Sequence, residues 1–321
     1  MKAWLALLCA LPLAAAAQTF RSSEHSFRVV KVVEALEQPW SVAFLPDGRM
    51  LITEKAGRLR VVAKGALDPN PIAGLPEVTV HGQGGLQDVV LHPEFSKNSL
   101  VYVSYAARGS DGVGTELARG RLAGHRLEDV QVLFRQSPKG RTGNHFGGRI
   151  VFDRAGYVYL TLGNRNQQGA ALHPATGVLW THEHGPQGGD EVNVIRAGAN
   201  YGWPVITYGA NYGSGTKIGE GTHKQGMQQP IHYWVPSIAP SGMAFYTGDK
   251  FAQWKGDLFV GALRDQMLVH LKLDGEKVVS EERLLKGVLG RIRDVRVGPD
   301  GFIYLLTDER FGVLARLEPA Q

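Results

Sequence analysis

The sequence predicts an all-β protein, a six-bladed β-propeller with one blade incomplete, and three observations carry that expectation. The first is a recurring unit of an apolar strand, a turn of Pro-Asp-Gly type and a second strand of alternating β-branched and aromatic residues. The second is that no stretch of useful length has the 3.6-residue apolar period of an amphipathic helix. The third is the 41 glycines among 321 residues, which suit a chain of many tight turns.

The unit is clearest over residues 42–53, 150–161 and 295–307, and weaker over 89–105, 171–180 and 243–261. In each copy Asp-Gly or a close variant makes the turn, and period-two alternation buries one face. Six such hairpins, each able to seed a four-stranded sheet, suggest blades packed around an axis; a β-sandwich is the alternative. With Pro46, Pro93, Ala155, Pro174, Gly248 and Pro299 as turn markers, the intervals are 47, 62, 19, 74 and 51 residues. A blade needs roughly 40 to 50 residues. The 19-residue interval cannot hold one, so either two turns share a blade or most of a blade is lost between Thr161 and Ala171. The 74-residue interval has room for an inserted loop around residues 197–221, rich in Gly, Asn and Tyr.

Met1-Lys2, an apolar run through Ala17 and the small residues 14–17 read as a signal peptide over residues 1–17, cleaved near Ala17. Residues 18–321 then form a single propeller domain in a periplasmic or secreted protein. The leader's apolar run is shorter than the ~20 residues of a membrane span, and no later stretch qualifies. Cys9, the one cysteine, falls inside this leader, so the mature chain has no disulfide and no thiolate nucleophile. The 35 Lys and Arg against 30 Asp and Glu are scattered without basic runs, which argues for a solvated surface over a nucleic-acid face.

Three segments concentrate chemistry. Residues 182–193, with His182, Glu183, His184, Gly185, Pro186, Asp190 and Glu191, place carboxylates and backbone-exposing glycines just after a strand. Such a loop suits calcium, which takes oxygen ligands including main-chain carbonyls. Zinc through His182 and His184 lacks an obvious third ligand; Asp190 and Glu191 fit turn and cap hydrogen bonds as well as a metal. In the second segment His145 stands in a glycine-rich turn directly before a strand, where it fits a general base or a plain polar surface. In the third, alternation puts Arg291 and Arg293 on one face of a strand. Two converging guanidinium groups call for an anion, either a polycarboxylate ligand or acids such as Asp294. Nucleotide-binding glycine loops and a Gly-x-Ser-x-Gly elbow are absent from the sequence.

The stretches at 38–48, 81–88, 144–149, 165–174, 183–191, 199–204 and 291–301, which include Asn-His-Phe-Gly-Gly-Arg and Ala-Asn-Tyr-Gly-Trp-Pro, together resemble the soluble aldose sugar dehydrogenases that depend on pyrroloquinoline quinone (PQQ). That family consists of six-bladed propellers related to soluble glucose dehydrogenase, and the resemblance spans nearly the whole chain. It implies oxidation of aldoses to lactones, with electrons passed to an external acceptor. By the resemblance His145 is the base that takes the anomeric hydroxyl proton while hydride passes to the quinone. Gln83, Arg165, Asn166, Tyr212, Arg264, Arg291 and Arg293 line PQQ. The carbonyls of Gly185 and Pro186 hold a calcium ion, and Glu191 with the carbonyl of Tyr201 matches a second calcium site. A homodimer is implied on the same ground.

Two departures stand out. Asn164 occupies the place of an aspartate that orients the catalytic histidine in the family. The family also continues for tens of residues before the segment that here begins at Arg165, an apparent internal deletion near 163–166 that removes strands of one blade. Two other readings follow: a propeller of this ancestry that binds a ligand without turnover, and a metal-dependent sugar lactonase, which would present inward Glu, Asn and Asp side chains to its metal.

Overall fold

In the computed structural model, residues 18–163 and 167–320 are described. The leader and Cys9, and with them Asn164, Arg165 and Asn166, lie outside the described residues. The six marker turns each join the first and second strands of a separate sheet. Five of these sheets are complete blades, with innermost strands Pro39–Phe44 (blade one), Leu86–Leu91 (two), Gln167–Leu172 (three), Pro240–Phe245 (four) and Ile292–Val297 (five). Blades one to four have four strands, and blade five has five. Blade five is closed by the other end of the chain: Ser26–Leu36 pairs with Gly312–Pro319, and Thr19–Arg21 adds the outer edge.

The propeller therefore has five complete blades, not six. Between blades two and three sits a two-stranded half-blade, Gly147–Phe152 paired with Val158–Leu162. The reason is chain length. Ala155 and Pro174 turn in different sheets, and the residues between them are taken up by Val158–Leu162 and Gln167–Leu172, with none left for outer strands. The long interval after Pro174 does contain a loop, joining Asp190–Val194 to His232–Trp234 in blade three.

The ring nevertheless closes, because the six innermost strands, the half-blade's included, contact one another in order around the axis. Apolar clusters fill the spaces between neighbouring blades, such as Leu51, Val61, Val89 and Val103 between blades one and two. Against blade two the half-blade buries only a small cluster, Tyr102, Leu117 and Ile150. Polar ties make up the difference: Ser104 Oγ donates to Gly148 O at 2.5 Å, Thr115 Oγ1 to Phe146 O at 2.6 Å and Gln87 Nε2 to Gly147 O at 3.3 Å.

Near the axis lies a ring of four charges, with Asp88, Arg149 and Asp294 buried and Arg296 partly so. Asp88 from blade two meets Arg149 of the half-blade at 3.1 Å and Arg296 of blade five at 2.8 Å. Asp294 meets Arg149 at 3.1 Å and Arg296 at 2.9 Å. Asp88 also accepts from Ser41 Oγ of blade one and from Ile150 N of the half-blade. Two carboxylates and two guanidinium groups balance, which is the condition for burying them at all.

Candidate functional site

Innermost strands that all begin at one end of the channel bring the residues just before them to a common mouth. There a cavity of about 300 Å³ is lined by Gln38 and Trp40 of blade one, Gln83 and Gln87 of blade two, Phe146 and Gly147 of the half-blade, and Arg291 and Arg293 of blade five, among others. His184, Lys55, Leu263 and Asp308 complete its walls.

His145 is not part of the cavity lining but adjoins it, one residue before Phe146 and hydrogen-bonded through its main chain to Gln83. Its backbone is left-handed, with φ of 60°, an uncommon state for a side chain of this size. Two contacts hold it. Its main-chain N–H donates to Gln83 Oε1 at 2.9 Å, while Gln83 N donates to Gly143 O at 2.6 Å, so the approaches to two inner strands are clamped together. On the other side Gly163 packs so closely that a Cβ there would lie 1.2 Å from the His145 carbonyl oxygen. Although exposed, the imidazole is crowded enough that desolvation lowers its pKa from the ordinary 6.5. It is therefore a neutral base at pH 7.

Arg291 and Arg293 do converge, and an acid does lie between them. It is Asp308, at the end of the neighbouring strand, whose Oδ2 meets Arg291 Nη2 at 3.0 Å and Arg293 Nη2 at 2.8 Å. Asp294 is committed to the charge ring instead. One carboxylate does not exhaust two guanidinium groups: Arg293 Nε is buried without a hydrogen-bond partner. With Lys55 also in the wall, the cavity offers three cations against one acid among the described residues, which fits a polycarboxylate such as PQQ.

A second, much smaller space of about 10 Å³ lies on the other side of His184 and is lined by Glu183, Gly185, Glu191, Tyr201 and Thr207, among others. Glu183 and Glu191 are cross-strand partners, and burial pushes the Glu191 carboxyl up to about 7. Two adjacent acids around a space for one small ion fit a hard cation. Ionising Glu191 in the folded state is unfavourable without one, so its contribution to stability is present below about 4.5 and is lost as pH rises through about 7. In chelator, Glu191→Gln is expected to lose less thermal stability than the parent between pH 4.5 and pH 7, by thermal melts. Added calcium should narrow the gap at pH 7; equal slopes for both proteins would show that Glu191 does not titrate there.

Asp190 has a different role. It accepts from Gly185 N, Ser237 Oγ, Ile238 N and Ala239 N at 2.7 to 3.0 Å, pinning the 185–189 loop to the approach to blade four. His182 and His184 direct Nε2 to the carbonyls of Ser241 and Pro240, which can only accept. Both Nε2 atoms therefore carry protons and are not zinc ligands.

Gln83, Arg291 and Arg293 thus meet at the main cavity with His145 adjoining it, while Gly185, Glu191 and Tyr201 meet at the smaller one. Pro186 lines neither, and its carbonyl accepts from Ala210 N at 3.0 Å. Tyr212 is 73% exposed on the inserted loop, outside the cavity wall, because that loop folds against its own turns and Gln187. Arg264 turns its Nη1 to Ser237 O and leaves its neighbour Leu263 in the wall. Asp308, Lys55 and Gln38 were not singled out as site residues by the sequence, and Glu183 was named only within the carboxylate-bearing 182–193 loop. The one available signal was that Glu183 and Glu191 flank a short connection.

The Glucose / Sorbosone dehydrogenase family model matches residues 36–165 and 160–316, two pieces that overlap at the join near 163–166. Aldose sugar dehydrogenase YliI of Escherichia coli strain K12 is 40% identical over 362 aligned positions, covering 96% of this chain and 97% of that protein. The alignment is longer than the chain, so it carries gaps in this chain. The crystal structure of the soluble aldose sugar dehydrogenase from Escherichia coli in the apo form superposes with a TM-score of 0.87 at 41% identity, covering 92% of this chain and 100% of that one. The PQQ-bound aldose sugar dehydrogenase from Streptomyces coelicolor shares the fold, with a TM-score of 0.72 at 24% identity over 91% of this chain and 98% of that one. With the motif order, the propeller and most of the family's length in common, the chain belongs to the Glucose / Sorbosone dehydrogenase family.

Proposed function

We propose that the protein is an aldose sugar dehydrogenase that binds PQQ and calcium, oxidises the anomeric carbon of an aldose to a lactone and passes the electrons to an external acceptor. The observation that carries this reading is the main cavity, where Arg291 and Arg293 converge, Arg293 with a buried unpaired Nε, and whose wall residue Phe146 directly follows the neutral His145. Arg291 and Arg293 bind carboxylates of the cofactor, and Lys55 adds positive charge. When bound, PQQ supplies a two-electron acceptor and calcium a Lewis acid.

The remaining work falls to the chain itself. His145 Nε2 or Nδ1 takes the proton from the anomeric hydroxyl, and the lowered pKa keeps the ring ready to accept it. Gln83 and Gly163 fix His145 through its main chain, which is the more needed because Asn164 replaces the family's orienting acid. Glu191 and Tyr201, with Glu183 beside them, hold the second calcium ion, and the carbonyls of Gly185 and Pro186 remain assigned to the first by resemblance alone. The leader-like residues 1–17 support a periplasmic or secreted location. Arg165 and Asn166 remain assigned to the cofactor by resemblance alone.

The half-blade supports a second reading, binding without turnover, because outer strands are lost beside His145. A lactonase is disfavoured by the cavity wall, where among the described residues Asp308 is the one acid and is held by two arginines. Purified protein should be titrated with PQQ, with and without calcium, following the cofactor's absorbance and then dye reduction with a panel of aldoses. Saturable binding with aldose-dependent reduction is expected. Binding without reduction selects the second reading, and absence of binding rejects both.

A further inference from the structure

His145 owes its place less to its own sheet than to blade two. The backbone around it is left-handed, with φ of 60° at His145, 70° at Gly147 and 95° at Gly148, and the pairing of the half-blade slips between Gly147 and Ile150. A left-handed residue with a side chain persists only where its surroundings hold it. Here the next three carbonyls, of Phe146, Gly147 and Gly148, each accept from a side chain of blade two: Thr115 Oγ1, Gln87 Nε2 and Ser104 Oγ. The Phe146 ring is wedged into the same blade. A Cβ on Gly84 would lie 2.6 Å from its Cζ, and the ring packs in a buried cluster with Ala106 and Val113.

The loop leading up to His145 is held by one strand of that blade, Val113–Ala123. Val113 and Gly140 exchange main-chain hydrogen bonds at 2.8 and 3.2 Å. Gln136 N donates to Thr115 O and Gln136 Oε1 accepts from Thr115 N, both at 3.0 Å. Beside them Lys139, its side chain 8% exposed, donates to Glu116 Oε1 at 2.6 Å. Thr115 is thus fully buried where the incoming loop and the Phe146 carbonyl meet, and it lies outside the lining of the main cavity. We propose that Thr115 is a positioning residue for the reaction: its hydroxyl locks the peptide that follows His145 and so fixes the left-handed turn that carries the imidazole. This rests on the reading of His145 as the base.

The test compares the parent with Thr115→Val, which keeps the volume but leaves the Phe146 carbonyl buried without its donor, and with Thr115→Ser, which keeps the donor. Turnover of Thr115→Val is expected to fall by about 10- to 100-fold, the usual cost of a small misplacement, with PQQ affinity unchanged because Arg291 and Arg293 belong to blade five. A second readout needs neither cofactor nor substrate: an NMR titration of the His145 ring in the apoprotein, assigned with His145→Ala. Desolvation lowers the His145 pKa, so a released turn should raise it toward 6.5 in Thr115→Val. His184, a titratable neighbour, is followed in the same spectra. Thr115→Ser should restore both turnover and titration. A purely structural role would lower the melting temperature of Thr115→Val and leave the His145 titration at the parent's value, which would overturn the proposal, as would a serine variant no better than the valine one. A parent that neither binds PQQ nor oxidises aldoses would reject the dehydrogenase reading, while the His145 titration would still decide whether Thr115 holds the turn.

Discussion

Replacing His145 by alanine is expected to lower turnover by about 10²- to 10⁴-fold, the usual worth of a positioned general base, while PQQ affinity stays within a few fold. The two effects separate because Arg291 and Arg293, the groups proposed to bind the cofactor's carboxylates, belong to blade five, whereas His145 precedes the half-blade. Single-turnover reduction and cofactor titration on the same samples would measure both. The pH profile gives an independent check. With its pKa depressed by burial, His145 should place the acid limb of kcat/KM below the ordinary histidine value of 6.5, and that limb should vanish in the variant. Loss of PQQ binding in His145→Ala, or full activity, would remove His145 from its assigned place.

The largest effect on stability is expected at Asp88, which is fully buried. Asp88→Ala leaves the buried Arg149 and the partly buried Arg296 with Asp294 alone and removes the acceptor of Ser41 Oγ and Ile150 N. Breaking a buried charge network by deleting one partner typically costs about 3 to 5 kcal/mol. That is a large part of the ~5 to 15 kcal/mol that holds a domain folded. The half-blade should suffer first, since it has a small apolar cluster against blade two and depends on Asp88 through both Arg149 and Ile150 N. Denaturant unfolding would give the number, and hydrogen exchange would locate the loosening. A cost below about 1 kcal/mol would mean that the ring of charges is solvated and does not brace the channel.

Much of this architecture is written locally. The six hairpin turns, the pairing of Arg291 with Arg293 on one strand face and the position of His145 just ahead of a strand all follow from spacing over a few residues. Period-two alternation and turn chemistry act at that range. The half-blade was legible for the same reason, because 19 residues between two turns leave no length for four strands. Resemblance to a family supplied a common ligand for these scattered pieces, which spacing could not.

Other features depend on which distant segments meet. Asp308 reaches Arg291 and Arg293 only because the strand Ile303–Thr307 ends beside the start of Ile292–Val297, and Asp88 finds Arg149 and Arg296 only when the ring closes. Glu183 becomes a partner of Glu191 through hairpin register, and Tyr212 and Arg264 leave the cavity wall because loop packing and a main-chain carbonyl direct them elsewhere. The sequence by itself determined the strands, the turns and the residue types at the mouth of the channel, since these are set by neighbours along the chain. Tertiary structure alone decided which charges neutralise one another and which strand edge is left open, because both depend on contacts between segments far apart in the chain.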